Sequence, residues 1–421
     1  MSKKRIGSRL VSKRHRSIVD SLPHDVVALI LEKLPVKPLL RLRSVSKLWK
    51  STIDSRPFKE RQLINRRQSQ GPDVLMVRLN YHRDDGRNPD SRKIVLGSST
   101  QVCTATFPVS GSMFCYGSCD GLVCVYCIYT PSVVVNPLTR WHRTFHLSYC
   151  QHLLIQKYKR KEFDLPSLKL GFGKDTVKGT FKPVWLYNSS EFGLNNVTTC
   201  EVFDFCSNAW RFVVPASPYR INAHHKPVYL DGSLYWFTEC EEPMVLSFNL
   251  HTETFQVVCK APFAYRCDPL QLTMCVLNNR LCVSEKKWPT QVIWSFDSSG
   301  SGNKTWKKLC SIDLTLTVSY FKEPALALSP IAILEKKRLL LQGPDWVDPL
   351  VTYNLHSKCY KLLYKPIKPR APVSYFQRFH LGVVISDSDP QIGNSIEGIK
   401  MILGRGLVES GRLGNPGGSL L

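Results

Sequence analysis

Between Val26 and Leu34 the run VVALILEKL places apolar residues at seven of nine positions. A helix at a protein surface ordinarily keeps one apolar stripe and one polar face. Here Val26, Ile30 and Leu34 form one line at i, i+4, i+8, and Val27 and Leu31 form a second beside it. Pro23 ahead of His24-Asp25 suits a helix start, with Asp25 near the positive end of the dipole. Pro35 ends this helix, and Pro38 is placed to open a second over LLRLRSV, with Leu39, Leu42 and Val45 at three-residue spacing. A third continues through Leu48, Trp49 and Ile53. Some forty residues bury too little surface to be stable alone, and no cysteine pair or metal cluster staples them. The second apolar face therefore needs a cover, either another polypeptide or this chain's own later part.

From about Gln101 to Val384 the texture changes to β-branched and aromatic residues with turn signals every ten or so positions. One unit recurs: an aromatic, then Asn or Asp, then a polar turn, then a second aromatic. It occurs in FDFCSNAW (Phe203 to Trp210), FNLHTETF (Phe248 to Phe255) and YNLHSKCY (Tyr353 to Tyr360), each with six residues between the aromatics. Val135 to Trp141 is a shorter version, and Phe296 to Trp306 carries a Ser/Gly insertion. Tight turns at Asp120, Asp231, Asn278 and Lys336 precede these reversals by 15, 17, 18 and 17 residues. Blades of a β-propeller, four short strands every ~40–50 residues, explain such a recurrence. A β-sandwich is the alternative, but it gives no reason for one turn–strand–turn–aromatic unit to repeat.

Composition adds a charge of +24 over 421 residues, a basic excess that suggests an acidic partner or a solubilising surface. The first sixteen residues hold seven Lys/Arg and no acid. They lack the apolar core of a secretory signal, and no later stretch reaches the roughly 18 apolar residues of a membrane span. Fifteen cysteines fit reduced thiols in the cytoplasm or nucleus rather than a disulfide framework.

Candidate chemistry subtracts more than it adds. GFGKDT resembles a phosphate loop, but Lys174 is followed by Asp175 and Leu168 stands where the leading glycine belongs. Cysteines 115, 119, 124 and 127 are dense enough for zinc, yet Cys124 and Cys127 lie three apart in a strand and face opposite ways. Buried strand thiols are the preferred reading. His224-His225 reads as a polar loop tip, and no nucleophile elbow occurs. RWHRTFH (140–146) and YKRK (158–161) could contact RNA by phosphate and stacking, or form the rim loops of a β-domain. These motifs predict a non-enzyme without metal or cofactor.

LPHDVVALILEKLPVKPLLRLRSVSKLWKSTIDSRPF, with its two Leu-Pro steps, V-S-K-x-W and closing Pro-Phe, resembles an F-box. The resemblance implies three helices that bind a Skp-type adaptor and so join a cullin–RING ubiquitin ligase. It implies contact or local-core roles for Leu22, Pro23, Ile30, Leu34, Pro35, Leu39, Leu42, Val45 and Trp49. Ser46 stands where the family commonly has Cys, and His24 where it often has an acid. SCDGLVCV, VVNPLTRWHRTF, LGFGKDTVKGTFKPVWLYNS, CEVFDFCSNAWRFV and PVYLDGSLYWFT followed by LSFNLHTETF are similar to the kelch-like domain that accompanies the F-box in plant proteins. The double glycine that opens a kelch blade is replaced by Asp-Gly, Asn-Asn or Lys-Lys.

The expected organisation is a disordered basic tail (1–19), the F-box (20–65), a linker with one possible strand (66–100), a propeller-like β-domain (101–385) and a flexible tail (386–421). The expected function is substrate recognition for a Skp–cullin–F-box ligase in the nucleus or cytoplasm, with an unidentified protein substrate. A basic nucleic-acid-binding scaffold is the alternative.

Overall fold

The computed structural model describes residues 22–386 apart from 35, 56, 59–60, 62–72, 78–89, 95–101, 107–113, 121, 127, 136–140, 163–165, 264–267, 298–304, 322–325, 335–336, 344–348 and 365–381. The chain forms two compact units, residues 1–68 and 69–421. The first is helical: α1 (His24–Glu32), α2 (Val36–Leu42) and α3 (Lys47–Asp54).

The second unit is a propeller of six four-stranded antiparallel sheets. Its first strands are β1 (Asp73–Val77), β2 (Asp90–Ile94) and β3 (Val102–Thr106). Blade 1 comprises β4 (Phe114–Cys119), β5 (Leu122–Tyr126), β6 (Ser132–Val135) and β7 (His142–Phe145). Blade 2 comprises β8 (Gly171–Lys174), β9 (Phe181–Asn188), β10 (Thr198–Asp204) and β11 (Ala209–Phe212). Blade 3 follows with β12 (Val228–Leu230), β13 (Ser233–Phe237), β14 (Met244–Asn249) and β15 (Phe255–Lys260). Blade 4 holds β16 (Leu272–Leu277), β17 (Arg280–Lys287), β18 (Thr290–Asp297) and β19 (Thr305–Asp313). Blade 5 holds β20 (Ser329–Leu334), β21 (Arg338–Gln342), β22 (Leu350–Asn354) and β23 (Tyr360–Tyr364).

The last strand, β24 (Gly382–Ser386), pairs antiparallel with β1 and completes the sixth sheet in the order β24-β1-β2-β3. The strands β24, β4, β8, β12, β16 and β20 pack each against the next, and β20 against β24, so they line the centre of a closed ring. Pairing of the last strand with the first joins the two ends of the domain in one blade, and the radial arrangement leaves only short, protected edges at the centre. The stretch 66–100, expected as a linker with one strand, supplies two. β1 is the VLMV island visible in the sequence. β2, DSRKI, has no apolar run and is a strand because β1 and β3 pair with it on either side. The expected tails, 1–19 and the 387–421 part of the second, lie outside the described residues.

The repeated unit is explained strand by strand. Phe203 pairs with Trp210, Phe248 with Phe255, Phe296 with Trp306 and Tyr353 with Tyr360, each opposite its partner across the two outer strands. Their ring centroids stand 5.3, 4.6, 5.0 and 4.6 Å apart. The Asn or Asp after the first aromatic builds the turn. Asn249 Oδ1 accepts from the backbone N–H of His251 and Thr252, and Asn354 Oδ1 from those of His356 and Ser357. Blade 1 differs: His142, not Trp141, stands opposite Val135. The tight turns between the first two strands carry the left-handed residues they need, with φ of 47° at Asp120, 43° at Asp231 and 50° at Asn278.

The second aromatic also ties blades together. Trp210 Nε1 donates to the His146 carbonyl (2.7 Å), Trp306 Nε1 to Lys260 (2.8 Å) and the Tyr360 hydroxyl to Asp313 (3.0 Å). Each acceptor lies at or just past the end of the preceding blade's outer strand. In blade 3 the position is Phe255, which has no donor. There Lys182, from blade 2, bonds Glu253 at 2.8 Å and the Leu250 carbonyl, while Arg211 also bonds Glu253.

The GFGK strand, β8, shows what its glycines are for. A Cβ at Gly173 would meet the Tyr229 ring at 2.3 Å and Leu250 at 2.7 Å. Tyr229 in turn donates to the Lys174 carbonyl at 3.1 Å. Gly173→Ala is expected to cost about 1–3 kcal/mol, since the ring cannot retreat without breaking that bond. Urea unfolding of the variant against the unaltered protein measures it.

The longest helix of the propeller among the described residues has no counterpart in the β-pattern. Between blades 1 and 2 the chain forms helix α4 (Tyr149–Lys159). Ser148 caps it, accepting from Gln151 N while the Gln151 side chain accepts from Ser148 N. The fully buried Glu201 of β10 adds a second cap: its carboxylate accepts from Tyr149 N (2.8 Å), Cys150 N (2.9 Å) and the Tyr187 hydroxyl (3.1 Å).

Candidate functional site

The helical unit divides its apolar residues between an interior and an exterior. α1 starts after Pro23, whose carbonyl accepts from Val26 N and Val27 N. α2 begins at Val36, two residues before Pro38; a proline in the first turn loses no helical hydrogen bond, since those N–H groups have no intrahelical acceptor. α2 ends at Leu42, which leaves Val45 in the turn before α3 rather than on a helix. Ser46 caps α3, its hydroxyl accepting from Trp49 N at 3.0 Å. Val27, Leu31, Leu39, Ile53 and Phe58 form the core, with Leu34, Leu42 and Trp49 half-buried against it. Glu32 is buried and paired with Arg61 Nε at 2.6 Å, and Arg43 bonds Asp54 at 2.8 Å.

Seven large apolar side chains of this unit remain exposed among the described residues: Leu22, Val26, Leu29, Ile30, Leu40, Val45 and Leu48. Val26, Leu29 and Ile30 follow i, i+3, i+4 and so share one side of α1, opposite the core pair Val27 and Leu31. Leu29 is 58%, Ile30 49% and Val45 61% exposed. The all-round apolar character of α1 is thus one core face and one uncovered face. At about 25 cal/mol per Å² of apolar surface removed from water, covering this face would stabilise a complex substantially.

The nine residues singled out from the sequence separate accordingly. Leu22, Pro23, Ile30 and Val45 are exposed, Leu39 is core, and Leu34, Leu42 and Trp49 are intermediate. Pro35 lies outside the described residues. Val26, Leu29, Leu40 and Leu48 were not among the nine. Sorting α1 into its two helical faces would have found Val26 and Leu29.

The other sequence candidates are structural. Lys174 of the loop-like GFGKDT is ion-paired with Asp120 at 2.7 Å. Asp175 is buried and accepts from the backbone N–H of Val177 and Lys178, and lies 3.2 Å from His251 Nδ1. Cys119 and Cys124 are buried among Tyr126, Phe145 and Phe172 in the core of blades 1 and 2. Among the described residues no three His, Cys, Asp or Glu side chains gather where they could hold a metal. His224 is exposed, as a loop tip would be, but His225 is not: its ring lies 5.2 Å from Phe237, edge to face. Burial, then the charge of Lys169, brings its pKa down to about 4, so this half-buried histidine is neutral at physiological pH. No helix among the described residues is long and apolar enough to cross a membrane.

Comparison with known proteins matches these two units separately. A family model described as F-box domain matches residues 19–61, and one described as F-box associated beta propeller domain matches residues 88–362. The chain is 58% identical over 304 residues to F-box protein At1g11270 of Arabidopsis thaliana, covering 72% of this chain and 96% of that one. It is 48% identical to F-box protein At2g34280 of the same plant, covering 85% and 98%, and 48% identical to its F-box/LRR-repeat/kelch-repeat protein At1g09650, covering 87% and 98%.

Proposed function

Because the chain belongs to the F-box proteins that carry an F-box-associated β-propeller domain, we propose that it is a substrate-recognition subunit of a Skp–cullin–F-box ubiquitin ligase. The exposed apolar face of the helical unit carries this reading. Leu22, Ile30 and Val45, with Val26, Leu29 and Leu48, are the side chains a Skp-type adaptor would cover. Leu39, Leu34, Leu42 and Trp49 hold the helices in the arrangement that presents them. The propeller then holds a target protein near the charged ubiquitin-conjugating enzyme. Catalysis in this scheme is by proximity, with the bond-making chemistry left to the other subunits. It operates in the nucleus or cytoplasm, where that machinery acts.

Co-expression with a plant Skp-type adaptor tests the proposal. The expected result is a stable one-to-one complex that survives gel filtration and high salt, because the contact is apolar. Failure of the folded protein to bind any adaptor, together with tight RNA binding that weakens steeply with salt, would instead favour the nucleic-acid scaffold.

A further inference from the structure

In blades 1 to 5 the chain enters on the inner strand and moves outward. The second-to-third-strand connections and the crossings to the next blade therefore emerge at one end of the ring. The first-to-second and third-to-fourth turns emerge at the other. Among the described residues the exposed large apolar side chains outside strands fall almost all at the first end, with Val177 alone at the second. Charge is not spread evenly there either. Helix α4 ends in Lys157-Tyr158-Lys159-Arg160-Lys161. Lys157 is neutralised by Glu162 at 2.7 Å, while Lys159, Arg160 and Lys161 make no ion pair with the described residues. The β13–β14 loop of blade 3 carries Glu239, Glu241 and Glu242, of which Glu239 pairs with Arg220 and Glu242 with Lys260.

Two exposed aromatic pairs mark the ends of α4. Tyr149 meets Phe212 of β11 at 5.6 Å, and Tyr158 meets Tyr129 of the β5–β6 loop at 5.4 Å. Tyr158 is 63% exposed and Phe212 52%, with Val214 beside it at 87%. Nine residues of helix are two and a half turns, so the two pairs flank α4 on opposite sides, offset by an axial rise of about 13 Å. The N-terminal end of the helix is held to the blade by Glu201 and the Ser148 cap.

We infer that the α4 surface is where this propeller binds its target, and that the occupant is an acidic protein segment with apolar anchors. This rests on the ligase reading above and names the substrate class of its propeller. The cations, without an ion pair among the described residues, ask for an acidic partner, and the aromatic pairs with Val214 ask for apolar anchors. A nucleic acid fits less well. Three cations without an ion pair among the described residues give few phosphate contacts, and Val214 offers no stacking surface.

The test is selection of a random displayed 12-residue peptide library on the full-length protein, with adaptor binding measured on the same preparation. Enriched peptides should carry Asp or Glu around apolar residues. Their affinity should fall roughly tenfold or more in Tyr158→Ala and in Lys159→Glu/Arg160→Glu, and stay within about twofold in Val177→Glu at the opposite end. Unenriched selections, peptides without acidic residues, indifference to the α4 variants, or a 12-nucleotide oligouridylate binding this surface more tightly would each overturn the inference. Adaptor binding retained in those cases leaves the ligase reading standing. Adaptor binding lost with the peptide pattern intact does the reverse: the α4 surface holds as a docking site and the ligase reading falls.

Discussion

Ile30→Glu is expected to weaken adaptor binding by ~100-fold or more while leaving the helical unit folded. Ile30 is about half exposed and lies off the Val27–Leu31 core line, so a glutamate there is solvated in the free protein. On binding it would be driven into an apolar contact, losing both the buried isoleucine surface and the hydration of the new charge. Leu31→Ala is the contrasting variant. Leu31 is 1% exposed at the centre of the small core, and its truncation should cost ~2–4 kcal/mol of folding stability. Calorimetric titration with the purified adaptor, paired with circular dichroism, separates the two: Ile30→Glu loses heat of binding with its helicity intact, Leu31→Ala loses helicity. An Ile30→Glu protein that still bound its adaptor would place the contact elsewhere.

Glu201→Ala is expected to destabilise the propeller by about 3–5 kcal/mol, because two backbone N–H groups and the buried Tyr187 hydroxyl would lose their acceptor. Denaturant unfolding followed by tryptophan fluorescence reports it. Glu201→Gln has a milder effect and a pH signature. Burial raises the Glu201 pKa above the ordinary glutamate value, outweighing the hydrogen bonds from Cys150, Tyr149 and Tyr187 that favour the charged form. The folded protein thus takes up the proton more readily than the unfolded chain. The stability linked to that proton is complete below the ordinary glutamate value and declines as pH rises through the folded one. Between pH 4 and 8 the unaltered protein should lose stability relative to Glu201→Gln as pH rises; parallel curves would mean that the carboxylate's ionisation is not felt.

Local patterns in the chain are short-range and additive, and that is why so much of the scaffold was legible. The pairings Phe203–Trp210, Phe248–Phe255 and Tyr353–Tyr360 depend on a two-strand reversal whose length and Asx turn are written within eight residues. The three helices likewise follow from apolar spacing and two prolines. What resisted reading was each feature made by residues far apart in the chain. β2 has no strand pattern and is recruited by pairing on both sides, and β24 closes the ring some 300 residues from β1. The glycines of GFGK look like phosphate chemistry until Tyr229 is seen in the space they leave.

For this protein the order of residues by itself determined the helical module, the repeating β-unit and the absence of any recognisable catalytic motif. Folding in three dimensions decided which half of the apolar surface of α1 stays outside, which end of the propeller carries exposed aromatics, and that Glu201 anchors α4. The division has a physical cause. Hydrogen-bonded turns and helical periodicity are properties of neighbours along the chain, whereas burial is a property of neighbours in space. Ile30 and Leu31 adjoin in sequence, yet one is 49% and the other 1% exposed, because only one of them faces Leu39, Ile53 and Phe58.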